Sequence, residues 1–229
     1  MRVLIFGATG MVGQGVLREC LLAADVDTVV VIGRTSVGLQ HAKLKELIHA
    51  DMFDYSAIES ELQPFDACFF CLGVSAAGIT ETTYTRLTYD LTIAAAQVLS
   101  RKNPAMSFVY VSGAGTDSSE HGKSMWARVK GRTENALLRL PFKAVYLFRP
   151  GVIQPLHGAR SKTVQYQLFY SLFNPILPLL RWLMPSTVLT TEIVGHAMLA
   201  LARSFAESHI LNACEINAIG QQSMSKDTP

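Results

Sequence analysis

The sequence predicts an α/β fold, a doubly wound parallel sheet with a small C-terminal portion covering it, and three observations carry that expectation. Short apolar runs rich in β-branched and aromatic residues recur near residues 3–6, 28–32, 66–72, 107–112 and 143–149, as strands buried on both faces do. Amphipathic stretches of helical length separate most of them, the alternation that gives parallel strands joined by right-handed crossovers. No internal repeat and no linker divides the chain, so residues 1–229 read as a single domain, with 151–229 contributing the covering part.

Val3 to Phe6 is the first strand, and Gly7 to Gly13 turns it into a helix that includes Val16, Leu17, Leu21 and Leu22. Thr28 to Ile32 is the second strand. Gln40 to Leu47 reads either as a short helix or as the lead into a third strand ending within Leu47–Met52. Tyr55 to Leu62 is a helix stopped by Pro64, and residues 66–72 form the next strand. A long helix falls within Thr80 to Ser100, where Leu87, Leu91, Ala95, Val98 and Leu99 mark its apolar face and Asn103-Pro104 ends it. Ser107 to Ser112 is the fifth strand, Trp126 to Arg139 a helix, and Lys143 to Arg149 the sixth strand. Thr190-Thr191-Glu192 supplies a capping hydroxyl and a first-turn acid for a helix to about Ser204. Ile210 to Ile219 is expected as a last strand and Gly220 to Pro229 as a frayed polar tail.

The glycines after the first strand carry the functional reading. In Gly7-Ala8-Thr9-Gly10-Met11-Val12-Gly13, Gly7 permits a tight turn, Gly10 leaves room for a pyrophosphate, and Gly13 allows the helix to approach the strand. A helix starting there directs unpaired N–H groups and a positive dipole end at a phosphate. The spacing is G-x-x-G-x-x-G, a weak pattern alone and a specific one between a strand and a helix. About twenty residues further on, where an acid would accept bonds from the ribose of NAD, stand Arg34, Thr35 and Ser36. A guanidinium there suits a 2′-phosphate, so NADP(H) is the expected cofactor; the alternative is a solvated arginine after a strand.

With 49% hydrophobic and 17% charged residues, the chain has the composition of a well-packed α/β domain. A net charge of +2 with no basic run sets nucleic acid aside as a partner. The first residues read as a strand rather than an export signal, so a cytoplasmic location is expected. Cys68 and Cys71 resemble a C-x-x-C site, but residues three apart on a strand face opposite ways, so they read as buried thiols. Residues 164–184 are rich in apolar side chains but broken by Gln165, Asn174, Pro175, Pro178 and Arg181. They read as a buried or substrate-covering helical pair, a subunit interface in a homo-oligomer, or a peripheral membrane contact.

Gly7 to Gly13, Val111-Ser112, Val129-Lys130-Gly131 and Phe148-Arg149-Pro150-Gly151 together resemble the short-chain dehydrogenase/reductase superfamily. The likeness is greatest to its compact atypical members, related to nucleotide-sugar epimerases and to NADPH-binding regulatory proteins. It implies a Rossmann-like fold and a cofactor site of Gly7, Thr9, Gly10, Met11, Val12, Gly13, Arg34, Thr35 and Lys130. It further implies Asp51 and Met52 near the adenine, Gly73 and Val74 near the adjoining ribose, and Pro150, Gly151 and Val152 beside the nicotinamide amide. In that superfamily a Ser after the fifth strand polarises the substrate, and a Tyr four residues before a Lys moves the proton. Lys130 matches the lysine, but Trp126 stands at the tyrosine position, and an indole does not ionise near neutral pH. Ser112 is the candidate polarising hydroxyl, although the superfamily position also aligns with Gly113; Ser112 alternatively caps its strand. His121 is either a substitute acid/base or a loop histidine. Three functions follow as expectations. One is an NADP(H)-dependent oxidoreductase or epimerase-like enzyme acting on a small organic substrate; the second is a non-catalytic NADP(H)-sensing or partner-binding regulatory protein; the third is a peripheral membrane or assembly role for residues 164–184.

Overall fold

Seven parallel strands in the order β3-β2-β1-β4-β5-β6-β9 form the main sheet of this computed structural model, which describes residues 1–160 and 188–227. The strands are β1 (Arg2–Phe6), β2 (Thr28–Gly33), β3 (Leu44–Ile48), β4 (Ala67–Phe70), β5 (Ser107–Val111), β6 (Ala144–Arg149) and β9 (Ile210–Asn212). Val3 to Phe6 and Ala67 to Phe70 are fully buried, as the apolar runs require of strands covered on both faces. A second, two-stranded parallel sheet pairs β7 (Val152–Gln154) with β8 (Val188–Thr190).

Two apolar cores flank the main sheet. Val3, Ile5, Val29, Phe69, Val109 and Phe148 pack on one side against α1 (Met11–Leu22), α5 (Thr191–Arg203) and α6 (Ala213–Asp227). Leu4, Phe6, Phe70, Phe108 and Leu147 pack on the other against α3 (Leu91–Lys102) and α4 (Met125–Leu137), with α2 (Glu81–Thr85) preceding α3 in the chain. Cys68 lies in the second core and Cys71 against the first, on opposite faces, and both are free thiols.

The element order follows the expected alternation, with four differences. Residues 44–48 form a strand, which settles the ambiguity at Gln40–Leu47. Tyr55–Leu62 contains a 3-10 turn over Ser56–Glu61 rather than an α-helix; none of those six residues is buried, so no apolar face rewards a longer helix. The long helix of Thr80–Ser100 is interrupted by one π turn, Arg86–Asp90, between α2 and α3. The last strand is only three residues long, and α6 replaces both its expected continuation and the frayed tail. Asn212 marks the change: its Oδ1 accepts from the backbone N–H groups of Cys214 (2.9 Å) and Glu215 (3.2 Å), while Glu215 accepts from the Asn212 N–H (2.7 Å). This reciprocal capping box starts a helix within an apolar run that looked extended. The segment 164–184 lies outside the described residues.

Candidate functional site

All strands of the main sheet run in one direction, so their C-terminal ends share an edge. The chain lays β2 and β3 on one side of β1 and β4, β5 and β6 on the other, so a crevice opens beyond Phe6 and Phe70. Gly7 lies there with φ +77°, and a Cβ on it would fall 2.7 Å from the Leu72 nitrogen. On Gly13 a Cβ would fall 2.2 Å from the Gly7 carbonyl oxygen, so α1 rests directly on the turn. Gly10 differs: a Cβ there would meet only the Gly7 oxygen, at 3.3 Å.

Gly10 is also the extended N-cap of α1, with no side-chain cap bond and no acid in the first turn. Among the described residues the first N–H groups of the helix thus have no capping side chain and no first-turn acid, and the residues present suit a phosphate. Gln14, which the sequence reading missed, braces this turn. Its amide donates to the carbonyls of Thr9 and Arg160, both at 3.0 Å, and its oxygen accepts from the Arg160 N–H at 3.1 Å. Only the fold brings residues 146 positions apart together.

Arg34 and Thr35 follow β2 and are exposed, and Arg34 makes no ion pair with another described residue. The nearby acid on β3 is already engaged: Glu46 accepts from Ser36 Oγ at 2.8 Å and from the Val37 N–H at 2.6 Å. Asp51 is exposed, its carboxylate accepting from the Phe53 N–H at 2.9 Å. Met52 instead packs into the core beside β1. Gly73 and Val74 are exposed after β4, with open space on the Cβ side of Gly73. After β6 the buried Pro150 accepts from the Ala114 N–H at 2.8 Å, while Gly151 and Val152 are exposed. Thr9, Met11 and Val12 are part-buried in the turn itself.

The proton-handling candidates fall differently from the expectation. Ser112 is 5% exposed, and its hydroxyl proton is shared between Glu134 Oε1 at 2.5 Å and the Phe148 carbonyl at 3.0 Å. It is therefore withdrawn from the crevice as a substrate-polarising group; a buried carboxylate beside it is the physical reason. Gly113, with φ +152°, is the position whose Cβ would approach Lys130 Nζ, at 3.9 Å. The side chain that would stand over the lysine is thus missing from this chain. Lys130 Nζ donates to the Ser112 carbonyl, and burial lowers the pKa of the amine to about 8 despite the nearby Glu134 charge. Trp126, Lys130 and Glu134 share one face of α4 by their four-residue spacing, and the Trp126 ring lies 3.4 Å from a Cβ position on Gly115. His121 is exposed in the loop before α4, as a loop histidine would be.

Glu134 and Arg149 are the second omission of the sequence reading. Arg149 Nε donates to Glu134 Oε1 at 3.1 Å and Nη2 to Oε2, so a fully buried carboxylate ties α4 to β6 and, through Ser112, to β5. The four-residue step from Lys130 to Glu134 was a visible signal, but its partner Arg149 is far away in sequence.

Residues 3–125 match the NAD dependent epimerase/dehydratase family, more than half of the chain. The chain belongs to that family. Similar proteins include one named Protein FMP52, mitochondrial, of Saccharomyces cerevisiae, 30% identical over 72% of this chain and 70% of its own length. FMP52-2 of Scheffersomyces stipitis, also named mitochondrial, is 29% identical over 69% of this chain and 67% of its own. The chain thus spans about two thirds of the length of these relatives. DesIV, a dTDP-glucose 4,6-dehydratase from Streptomyces venezuelae solved with NAD and TYD bound, shares the fold at a TM-score of 0.68 and 16% identity. That likeness covers 98% of this chain and 80% of DesIV. The atypical short-chain dehydrogenase/reductase resemblance and the Rossmann-like fold class stand. The cytoplasmic expectation does not: six FMP52 relatives are named mitochondrial, which points away from the cytoplasm.

Proposed function

We propose that this epimerase/dehydratase family member binds NADP(H) in preference to NAD(H), with Arg34 holding the 2′-phosphate. The observation that carries the reading is the pairing state at the end of β2. Arg34 is exposed without an ion pair among the described residues, while the nearby acid on β3, Glu46, is held by Ser36 and Val37. A free guanidinium with the β3 carboxylate already engaged favours a phosphate over a ribose diol. Thr35 adds a hydroxyl there, the turn from Gly7 to Gly13 takes the pyrophosphate, and Lys130 supplies a cation at the nicotinamide ribose. Asp51, Gly73, Val74, Pro150, Gly151 and Val152 line the remaining crevice. The cofactor supplies hydride chemistry, which makes an oxidoreductase or epimerase-like activity on a small organic substrate the leading reading.

Titrating NADPH and NADH against wild type and Arg34→Asp tests the cofactor choice. Wild type is expected to bind NADPH more tightly, and the variant to lose about tenfold to a hundredfold for NADPH with little change for NADH, as loss of a charge-assisted pair implies. Equal affinities in wild type would refute it.

A second reading, an NADP(H)-sensing protein without turnover, is favoured by two observations. Trp126 carries no transferable proton, and the Ser112 hydroxyl is engaged by Glu134. NADPH oxidation with a panel of aldehydes, ketones and sugar nucleotides separates the two. Turnover supports the enzyme; tight binding without turnover, unchanged in Trp126→Tyr, supports the sensor.

A further inference from the structure

We propose that Glu19, Glu192 and His196 form a divalent-cation site, suited to zinc, between α1 and α5. Glu19 comes from the third turn of α1, while Glu192 and His196 stand four residues apart on α5 and so share one helix face. One ligand atom from each of the three lies within 4.8 Å of the other two. His196 Nε2 is 3.3 Å from Glu19 Oε2. Two ligands each about 2.0–2.1 Å from a zinc ion in tetrahedral arrangement stand roughly 3.4 Å apart, so this pair already has the required separation. Glu192 is 26% exposed and has the freedom to close the remaining distance.

The surroundings fix the ligands in the required manner. Gly195 lets α5 approach so closely that a Cβ on it would fall 2.6 Å from Glu19 Cγ. Gly15 does the same against Thr191, with its Cβ position 2.5 Å from the Thr191 Cβ. Arg18 Nη1 bonds the other Glu19 oxygen, Oε1, at 2.5 Å, which leaves Oε2 directed at His196. Arg18 is one positive charge against two carboxylates, which leaves a net negative charge for a cation to offset. His157 Nε2 lies 3.7 Å from Glu192 Oε2 and offers a fourth ligand from the loop after β7; otherwise water takes the open position. One imidazole and two carboxylates, with a second imidazole in reach, suit zinc better than calcium or magnesium, which favour oxygen alone.

The test is zinc titration of the full chain by calorimetry, with cobalt(II) substitution read by visible absorption. One equivalent is expected to bind, the cobalt form to show the intense d–d bands of a tetrahedral site, and zinc to raise the melting temperature by joining α1 to α5. Glu192→Gln, at a part-exposed position, is expected to weaken zinc by more than about a hundredfold, beyond the loss that an outer-shell partner causes. His196→Gln does the same, and if that variant does not fold, Glu192→Gln decides alone. No binding at 100 µM zinc overturns the proposal, in line with about 5.5 kcal/mol as the least a dedicated site must supply. Binding that is unchanged in Glu192→Gln overturns it as well, because the metal then sits elsewhere, such as at the exposed Cys214.

Discussion

Replacing Arg149 by Met should destabilise the protein by about 3 kcal/mol, the lower end of the cost of breaking a buried ion pair. Glu134 is fully buried and its two oxygens accept three bonds, two from Arg149 and one from Ser112. Without the guanidinium, a carboxylate remains in the interior with a single hydroxyl donor. At a charge separation of about 3 Å and an effective dielectric of about 20, the lost attraction is roughly 5 kcal/mol. Arg149 keeps 20% of its side chain exposed, and its solvation in the unfolded chain offsets part of that sum. Glu134→Gln keeps the shape and one acceptor and leaves a cation that reaches solvent and Ser118 at 2.5 Å, so it should cost about half as much. In the double variant neither member of the Glu134–Arg149 pair is left without the other, and its cost should fall short of the sum of the single costs by about 2 kcal/mol. Urea unfolding of the four proteins at one pH, with the slope unchanged, measures all three quantities. An Arg149→Met variant within about 0.5 kcal/mol of wild type, or strictly additive costs, would refute the argument that Glu134 is held by charge and not merely packed.

Two further predictions follow from the same edge of the sheet. Gly13→Ala puts a methyl group 2.2 Å from the Gly7 carbonyl, so α1 must move off the turn; coenzyme binding should be lost, with about 1–3 kcal/mol of stability, and retained affinity would show that the turn does not hold phosphate. Lys130 has a native pKa of about 8 against an ordinary 10.5, so between those values the unfolded chain holds more protons and stability rises with pH. Below pH 8 the cost of the buried charge is fully present, and its relief by pH 10.5 is worth about 3 kcal/mol. The wild-type minus Lys130→Met difference in urea stability should therefore grow over that window, and a flat difference would mean that the amine is solvated.

Local signals carried most of the fold. Parallel strands with both faces covered announce themselves as continuous apolar runs, and the glycine turn is legible because each glycine answers a separate steric demand. The C-terminal error has a local cause too. Ile210 to Ile219 contains enough apolar residues for a strand, but the Asn212 and Glu215 side chains cap a helix after three residues. The candidate site was legible where it is built from backbone, at Gly7, Gly10 and Gly13, and less so where side chains from distant elements meet. Gln14 with Arg160, Glu134 with Arg149, and Glu19 with His196 are pairings that no window of sequence contains.

The same distinction bears on catalysis. By the superfamily resemblance, Trp126 stands where a tyrosine would move the proton, which reads in sequence as one missing donor. The geometry adds that the position facing Lys130 after β5 is Gly113, and that the neighbouring Ser112 hydroxyl bonds a buried acid. A backbone at φ +152° strains under any side chain, so serine cannot be restored at Gly113 without moving the end of β5. Among the described residues, that end of the crevice keeps a lysine of lowered pKa, an indole and exposed backbone after β6. Cofactor recognition needs none of the absent groups, since phosphates are held by helix N–H groups and cations. Proton transfer to a substrate needs a titratable group in the crevice; among the described residues Lys130 is the candidate, and turnover that uses it should follow an ionisation near pH 8.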